Sequence, residues 1–218
     1  MTTAVTVSSD PCPLVTLDEQ SHIYTHVLGH QVPSVTSILR TVDPWRSMFD
    51  RVAPDALEYA RNRGTQVHRA THYLDEGDLD EASVDPAIVP YVRAWEQFKT
   101  EKRFIPLLME TLVYHPTYGY AGTFDRIGTA DCGREYAPVL CDIKTGDASM
   151  AGPQLAAYLE AWRAMQGDAF PMAVPQHRWS VRLHDTGRYT ITEHKSREDF
   201  RVFQAALTLY NYTRSQAS

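Results

Sequence analysis

"VLCDIKTG", residues 139–146, decides how this chain is read: an apolar run, an acid, one more apolar residue and a lysine precede a Thr-Gly turn. In a strand, residues two apart face the same side, so Asp142 and Lys144 share one face of an otherwise buried strand. An isolated charge in the interior is costly unless it is paired or holds a metal. The two residues are therefore either a salt bridge at a strand end or part of a site.

The segments around this strand give it a fold. "LLMETLVYH" (107–115) and "YAGTFDRIGTA" (120–130) are strand-like runs ahead of "PVLCDIK" (138–144), with Tyr118-Gly119 and Cys132-Gly133 in the turns between them. A helix is predicted from Pro153 to Met165, with the proline in its first turn and Gly167 at its end. "HRWSVRLHD" and "RYTITEH" form a hairpin around Thr186-Gly187. "SREDFRVFQAALTLY" closes the chain as a helix; Ser196 and Asp199 resemble a capping box, and Phe200, Phe203, Leu207 and Tyr210 share one face. Upstream, apolar or small residues at 57, 60, 64, 67, 71 and 74 mark a helix from Pro54 to about Asp75, with Gly77 as its C-cap. Tyr91, Trp95 and Phe98 mark a second helix. "HIYTHVLGHQV" (22–32) reads as a hairpin around Leu28-Gly29, and "PSVTSILRTV" then starts a helix with Ser34 or Thr36 as N-cap. Residues 1–20 are polar and proline-containing, and are expected to be loosely ordered. The order predicts an α/β fold: a central mixed β-sheet flanked by helices, with an N-terminal hairpin-helix extension. Residues 1–53 form the tail, hairpin and helix packed on a core of residues 54–218, one domain overall.

At 218 residues and 43% hydrophobic content, the chain can bury one sizeable core. No apolar run approaches the roughly 18 residues a membrane span needs, so no membrane partner is expected. The opening "MTTAVTVSSDPCP" carries neither the basic start nor the apolar stretch of a signal peptide. Cys12, Cys132 and Cys141 are odd in number and form no CxxC, so a reducing cytosol is the expected location. A net charge of −6 argues against a broad basic coat for nucleic acid, but a local basic groove or divalent metal ions can offset a global excess of acid. The basic residues are 17 Arg against 4 Lys, which suits bidentate phosphate contacts. A GC-rich genome gives the same excess.

The chemistry-bearing residues cluster around the opening strand. Asp125 lies on the strand before Asp142, and adjacent strands of a meander bring both carboxylates to one face. Two such acids repel unless a cation sits between them, and oxygen ligands favour hard ions such as Mg²⁺ or Mn²⁺. Lys144 can orient a water or stabilise charge on a reacting phosphate. Gln154 and Tyr158 lie at i and i+4 on the following helix, one face. Gly64 and His68 have the same spacing on an earlier helix, where His68 lies beside the apolar stripe and can point inward. Taken alone, His68 reads more readily as a satisfied core histidine.

In order along the chain, GTxxH (64–68), GTFDRIG (122–128), DIKTG (142–146) and QLAAY (154–158) resemble the RecB-type branch of the PD-(D/E)XK nuclease superfamily, which includes phage, CRISPR-associated and mitochondrial genome maintenance nucleases. The likeness covers roughly residues 60–165, and "VPSVTSIL" (32–39) is similar to the N-terminal segment of phage members. The resemblance implies a restriction-endonuclease-like core and a metal-dependent deoxyribonuclease of DNA repair or recombination, in the cytoplasm of a bacterial or phage-infected cell. It implies His68, Asp125 and Asp142 as metal ligands, with the Ile143 backbone carbonyl a further one, holding one or two Mg²⁺ or Mn²⁺ ions. Lys144 matches the catalytic lysine, and Gln154 and Tyr158 match residues that support the site and touch the DNA backbone. Glu110 matches an acid often found on the preceding strand and ranks second, its role open. Arg61, Arg63 and Arg69 near His68, and Arg126 beside Asp125, are candidates to line a DNA channel, with at least one of them a solvated surface charge. The chain lacks a cysteine quartet and a GxxxxGK[ST] loop, so neither an iron–sulfur cluster nor ATP is expected, and a helicase or recombination partner would be a separate chain. Because an unperturbed lysine titrates near about 10.4, Lys144 suits orientation and charge stabilisation better than proton abstraction. Three activities fit these motifs: an exonuclease on DNA ends or single strands, favoured; a structure-specific endonuclease or nickase; and a non-catalytic DNA-binding protein.

Overall fold

The computed structural model describes residues 12–18, 20–42, 53–146, 148–166 and 174–216. Most of the N-terminal stretch expected to be loosely ordered, and Gly167 at the expected helix end, lie outside these residues.

Val15–Asp18 (β1) departs from the expected loose tail. It pairs antiparallel with Ile23–His26 (β2), which pairs in turn with Gln31–Val32 (β3), so the predicted hairpin is the outer part of a three-stranded sheet. Val15 is buried and Leu17 half-buried, a two-residue alternation too short to stand out beside its prolines. A short helix, Val35–Leu39 (α1), follows; Ser34 is its N-cap, the hydroxyl accepting from the Ser37 N–H at 3.0 Å. Val15, Tyr24 and Val32 pack against Tyr114 and Ala121 of the main sheet. The Ala121 N–H donates to the Pro33 carbonyl at 3.0 Å, fastening the small sheet to the large one.

The main sheet has five strands in sequence order: Ile105–His115 (β4), Tyr120–Asp131 (β5), Tyr136–Lys144 (β6), His177–Leu183 (β7) and Tyr189–Glu193 (β8). All neighbours are antiparallel except β6 and β7. That parallel step requires a crossover, and the helix Ala151–Gln166 (α4) supplies it. The helices Pro54–Glu76 (α2) and Val89–Glu101 (α3) cover one face, where Val67, Trp95 and Phe98 pack on Val139, Cys141 and Ile143. α1, α4 and Glu198–Gln216 (α5) cover the other, around Ile38, Phe124, Leu140, Leu155 and Phe203. The chain is thus a mixed α/β protein with a five-stranded mixed sheet flanked by helices. Among the described residues, no helix is long and apolar enough to cross a membrane.

Local signals account for most of the boundaries. Gly77 ends α2 in the left-handed conformation, φ 79°, which glycine adopts without the Cβ penalty. The expected capping box does not form: the Ser196 hydroxyl accepts from the Glu198 N–H at 3.1 Å, but Asp199 turns to Arg178 at 2.9 Å instead of reaching back to Ser196. An ion pair to a neighbouring strand outcompetes the local cap.

Gly128 on β5 has no room for a side chain, since a Cβ there would lie 2.5 Å from the Ile105 carbonyl oxygen and 2.6 Å from the Phe104 ring. The obstacle is backbone, which cannot swing aside. Gly128→Ala should lower unfolding free energy by about 1–3 kcal/mol, read from the midpoint of denaturant unfolding; an unchanged midpoint would contradict this packing.

Candidate metal centre

Alternation along β6 sends Val139, Cys141 and Ile143 toward α2 and α3 and Leu140 toward α4, so Asp142 and Lys144 face α4 as well. Asp142 is 2% exposed, and its Oδ2 lies 2.8 Å from Lys144 Nζ. Lys144 Nζ also donates to Gln154 Oε1 at 3.0 Å, and Gln154 Nε2 donates to the Tyr158 hydroxyl at 3.0 Å. The i, i+4 pair on α4 therefore continues the strand's charge pair as one linked row. Gly122, first residue of GTFDRIG, makes room for it: a Cβ there would lie 2.4 Å from Tyr158 Cε1.

Asp125 joins the row from β5. It is 8% exposed; its Oδ2 accepts from the Ile143 N–H at 2.6 Å, and its Oδ1 lies 3.6 Å from His68 Nδ1 on α2. The Ile143 N–H thus ties β6 to the Asp125 carboxylate of β5.

Glu110 comes from β4. Register pairs Met109 with Arg126 and Thr111 with Phe124, which puts Glu110 opposite Asp125. Its φ of 41° is uncommon for a non-glycine residue. One ligand atom each from His68, Glu110 and Asp125 lie within 4.8 Å of one another, a group that could hold a metal ion. Ligands about 2.1 Å from a shared ion stand roughly 3–4.2 Å apart, so small rotations suffice to close this group around a cation. The donor set, one imidazole and two carboxylates, suits a divalent ion of the Mg²⁺–Mn²⁺ kind. The second-ranked Glu110 thus belongs to the group, whereas Asp142, expected as a ligand, lies outside it with its carboxylate against Lys144. A single-strand pattern cannot show this, because Glu110 reaches the group through the β4–β5 register and a backbone turned out of the regular strand.

Two carboxyls at this site are shifted upward. Burial pushes the Asp142 carboxyl up to about 6, opposed by Lys144 and reinforced by Asp125. Glu110 is likewise raised to about 6, by loss of water and then by Asp125, with Arg126 opposing.

The arginines divide. Arg126, expected to line a DNA channel, is fully buried on the far face of the sheet. Its Nε donates to Asp75 Oδ2 at 2.8 Å and its Nη1 to Glu110 Oε1 at 2.9 Å. It follows Asp125 in sequence and pairs with Cys141 of β6, so its guanidinium lies on the α2–α3 side of the sheet. Arg61 is exposed. Arg63 is half-buried, 5.6 Å from the Tyr91 ring centroid and 3.4 Å from the Thr145 carbonyl, and Arg69 folds over Tyr73. A cleft of about 650 Å³ opens between Glu110, Asp125 and Tyr158 and the N-terminal sheet.

No protein-family model matches the chain, and no curated protein matches it.

The raised Asp142 carboxyl has a signed consequence. A carboxyl whose folded value lies above its unfolded one favours the fold below the unfolded value, and that contribution is lost as pH rises through about 6. In metal-free buffer, the melting temperature of the unsubstituted protein relative to Asp142→Asn should fall between about pH 4.5 and 7.5. A difference that stays flat or rises would contradict the burial of that charge.

Proposed function

We propose that this chain is a metal-dependent deoxyribonuclease of the RecB-type PD-(D/E)XK branch, on a restriction-endonuclease-like fold, hydrolysing phosphodiester bonds at DNA ends or in single strands. The observation that carries the reading is the unbroken row Tyr158–Gln154–Lys144–Asp142 beside the His68–Glu110–Asp125 group. A core salt bridge explains Asp142 and Lys144 alone. It does not explain three further ionisable side chains gathered within reach of one cation at the next strand.

His68, Glu110 and Asp125 would hold the ion, with Asp142 at its edge. The chemistry a divalent cation supplies there is Lewis acidity toward a phosphoryl oxygen and a lowered pKa for a bound water. Lys144 Nζ is held between the Asp142 carboxylate and the Gln154 amide oxygen. That setting suits a group that screens negative charge developing on phosphate rather than one that gives up its proton. Gln154 fixes the lysine, and Tyr158, buried under Gly122, fixes the glutamine. Exonuclease action is favoured over nicking because the cleft at the site is the size of a small-ligand pocket, which suits a strand entering by its end. DNA is the proposed partner, with any helicase or recombination protein a separate chain, and the bacterial or phage-infected cytoplasm the proposed location.

EDTA should abolish cleavage of labelled DNA, and Mn²⁺ should restore it at least as well as Mg²⁺; full activity in chelator would remove the metal from the mechanism. Lys144→Ala should slow hydrolysis by about 10²–10³, and Asp142→Ala should abolish it, while both proteins still bind DNA. Near-normal rates in either would refute the assignment of the row. Linear DNA should be degraded and covalently closed circles spared; rapid nicking of closed plasmid would instead make the protein an endonuclease.

A further inference from the structure

The wall of the cleft facing the acidic group belongs to the N-terminal sheet, and it carries a side chain that packing does not explain. His22 is exposed, in the turn between β1 and β2, with a backbone φ of 54°. Non-glycine residues adopt such a conformation infrequently. Asp18 holds the turn, its Oδ1 accepting from the N–H groups of Gln20 at 3.0 Å and Ser21 at 3.1 Å. Among the described residues the imidazole makes no hydrogen bond or ion pair. Its ring contact is with Tyr24, edge-on, centroids 5.7 Å apart and planes at 77°. Tyr24 is itself buried, and its hydroxyl lies 3.0 Å from Thr123 Oγ1 on β5. A rigid ring tied to the main sheet thus backs a second ring left exposed at the cleft that Glu110 and Asp125 also line.

We propose that His22, backed by Tyr24 and flanked by Leu17, is a stacking platform for an unpaired base of the strand whose phosphate lies at the metal centre. The inference rests on the nuclease reading above and adds the form of the substrate. Among the described residues, the cleft lining holds Glu110 and Asp125 and no Lys or Arg. Beyond the phosphate at the metal centre, binding there therefore gains most from the neutral part of a nucleotide, its base. Aromatic side chains hold bases by their faces with little regard to sequence. Bases inside a duplex already stack on one another, so a platform of this kind selects a single strand or a frayed end. The cleft volume of about 650 Å³ matches a small ligand of nucleotide size.

Fluorescence anisotropy on the full chain tests this, in a Lys144→Ala background with Mg²⁺ so that the probe stays intact. The probes are a labelled single-stranded DNA oligonucleotide and the same sugar–phosphate chain without bases. The base-bearing strand should bind about tenfold more tightly; His22→Ala should erase that preference, and His22→Phe, which keeps an aromatic face, should restore it. Equal affinity for the two chains, a preference that survives His22→Ala, or a His22→Phe protein that behaves like the alanine variant would each overturn the platform. Cleavage of the base-bearing strand by the unsubstituted protein, run in parallel, separates two failures. Cleavage without base preference overturns the platform alone; neither cleavage nor binding overturns the platform and the nuclease reading together.

Discussion

The ion pair between Asp75 and Arg126, both side chains fully buried, is the contact on which the site's geometry depends. Asp75 lies on α2, the helix that carries His68; Arg126 lies on β5 next to Asp125; and Arg126 also holds Glu110 of β4. One guanidinium therefore fastens together, from the far face of the sheet, all three elements that bear the candidate metal ligands. Lys99 of α3 at 2.6 Å and the Trp95 indole at 3.0 Å both contact Asp75 Oδ1, so its carboxylate is satisfied in the interior. Buried charges are tolerated only when paired and hydrogen-bonded in this way, and removing one partner of such a pair typically costs about 3–5 kcal/mol. The same contact holds Glu110 by its carboxylate while its backbone stays at φ 41°.

The front of the sheet completes the division of labour. Asp142 and Lys144 neutralise each other, so the strand end is buried without an unpaired charge. Among the described residues, Glu110 is paired with Arg126 from behind the sheet, and Asp125 Oδ1 lies 3.6 Å from His68 Nδ1. A divalent cation held by His68, Glu110 and Asp125 would offset the two carboxylates.

What the sequence made legible was local. The β6 strand, the i, i+4 pair Gln154 and Tyr158, the glycine end of α2 and all five strands of the main sheet rest on patterns a few residues long, and the structure keeps each of them. What it hid was set by register and by the side of a strand. Arg126 reads as a neighbour of Asp125, yet consecutive strand residues face opposite ways, so it reinforces the site from behind. Glu110 enters the metal group only because β4 and β5 pair in one register and its own backbone leaves the ladder. β1 was hidden for a third reason: its four residues are stabilised by packing on Tyr114 and Ala121, far along the chain, rather than by their own pattern.

The central claim is that His68, Glu110 and Asp125, fastened by Arg126, form a cation site. Anomalous diffraction from a crystal grown with Mn²⁺ locates the ion directly. The account predicts a peak about 2.0–2.3 Å from a nitrogen of His68 and from one carboxylate oxygen each of Glu110 and Asp125. An ion bound elsewhere, or no peak at these residues at millimolar Mn²⁺, would contradict it.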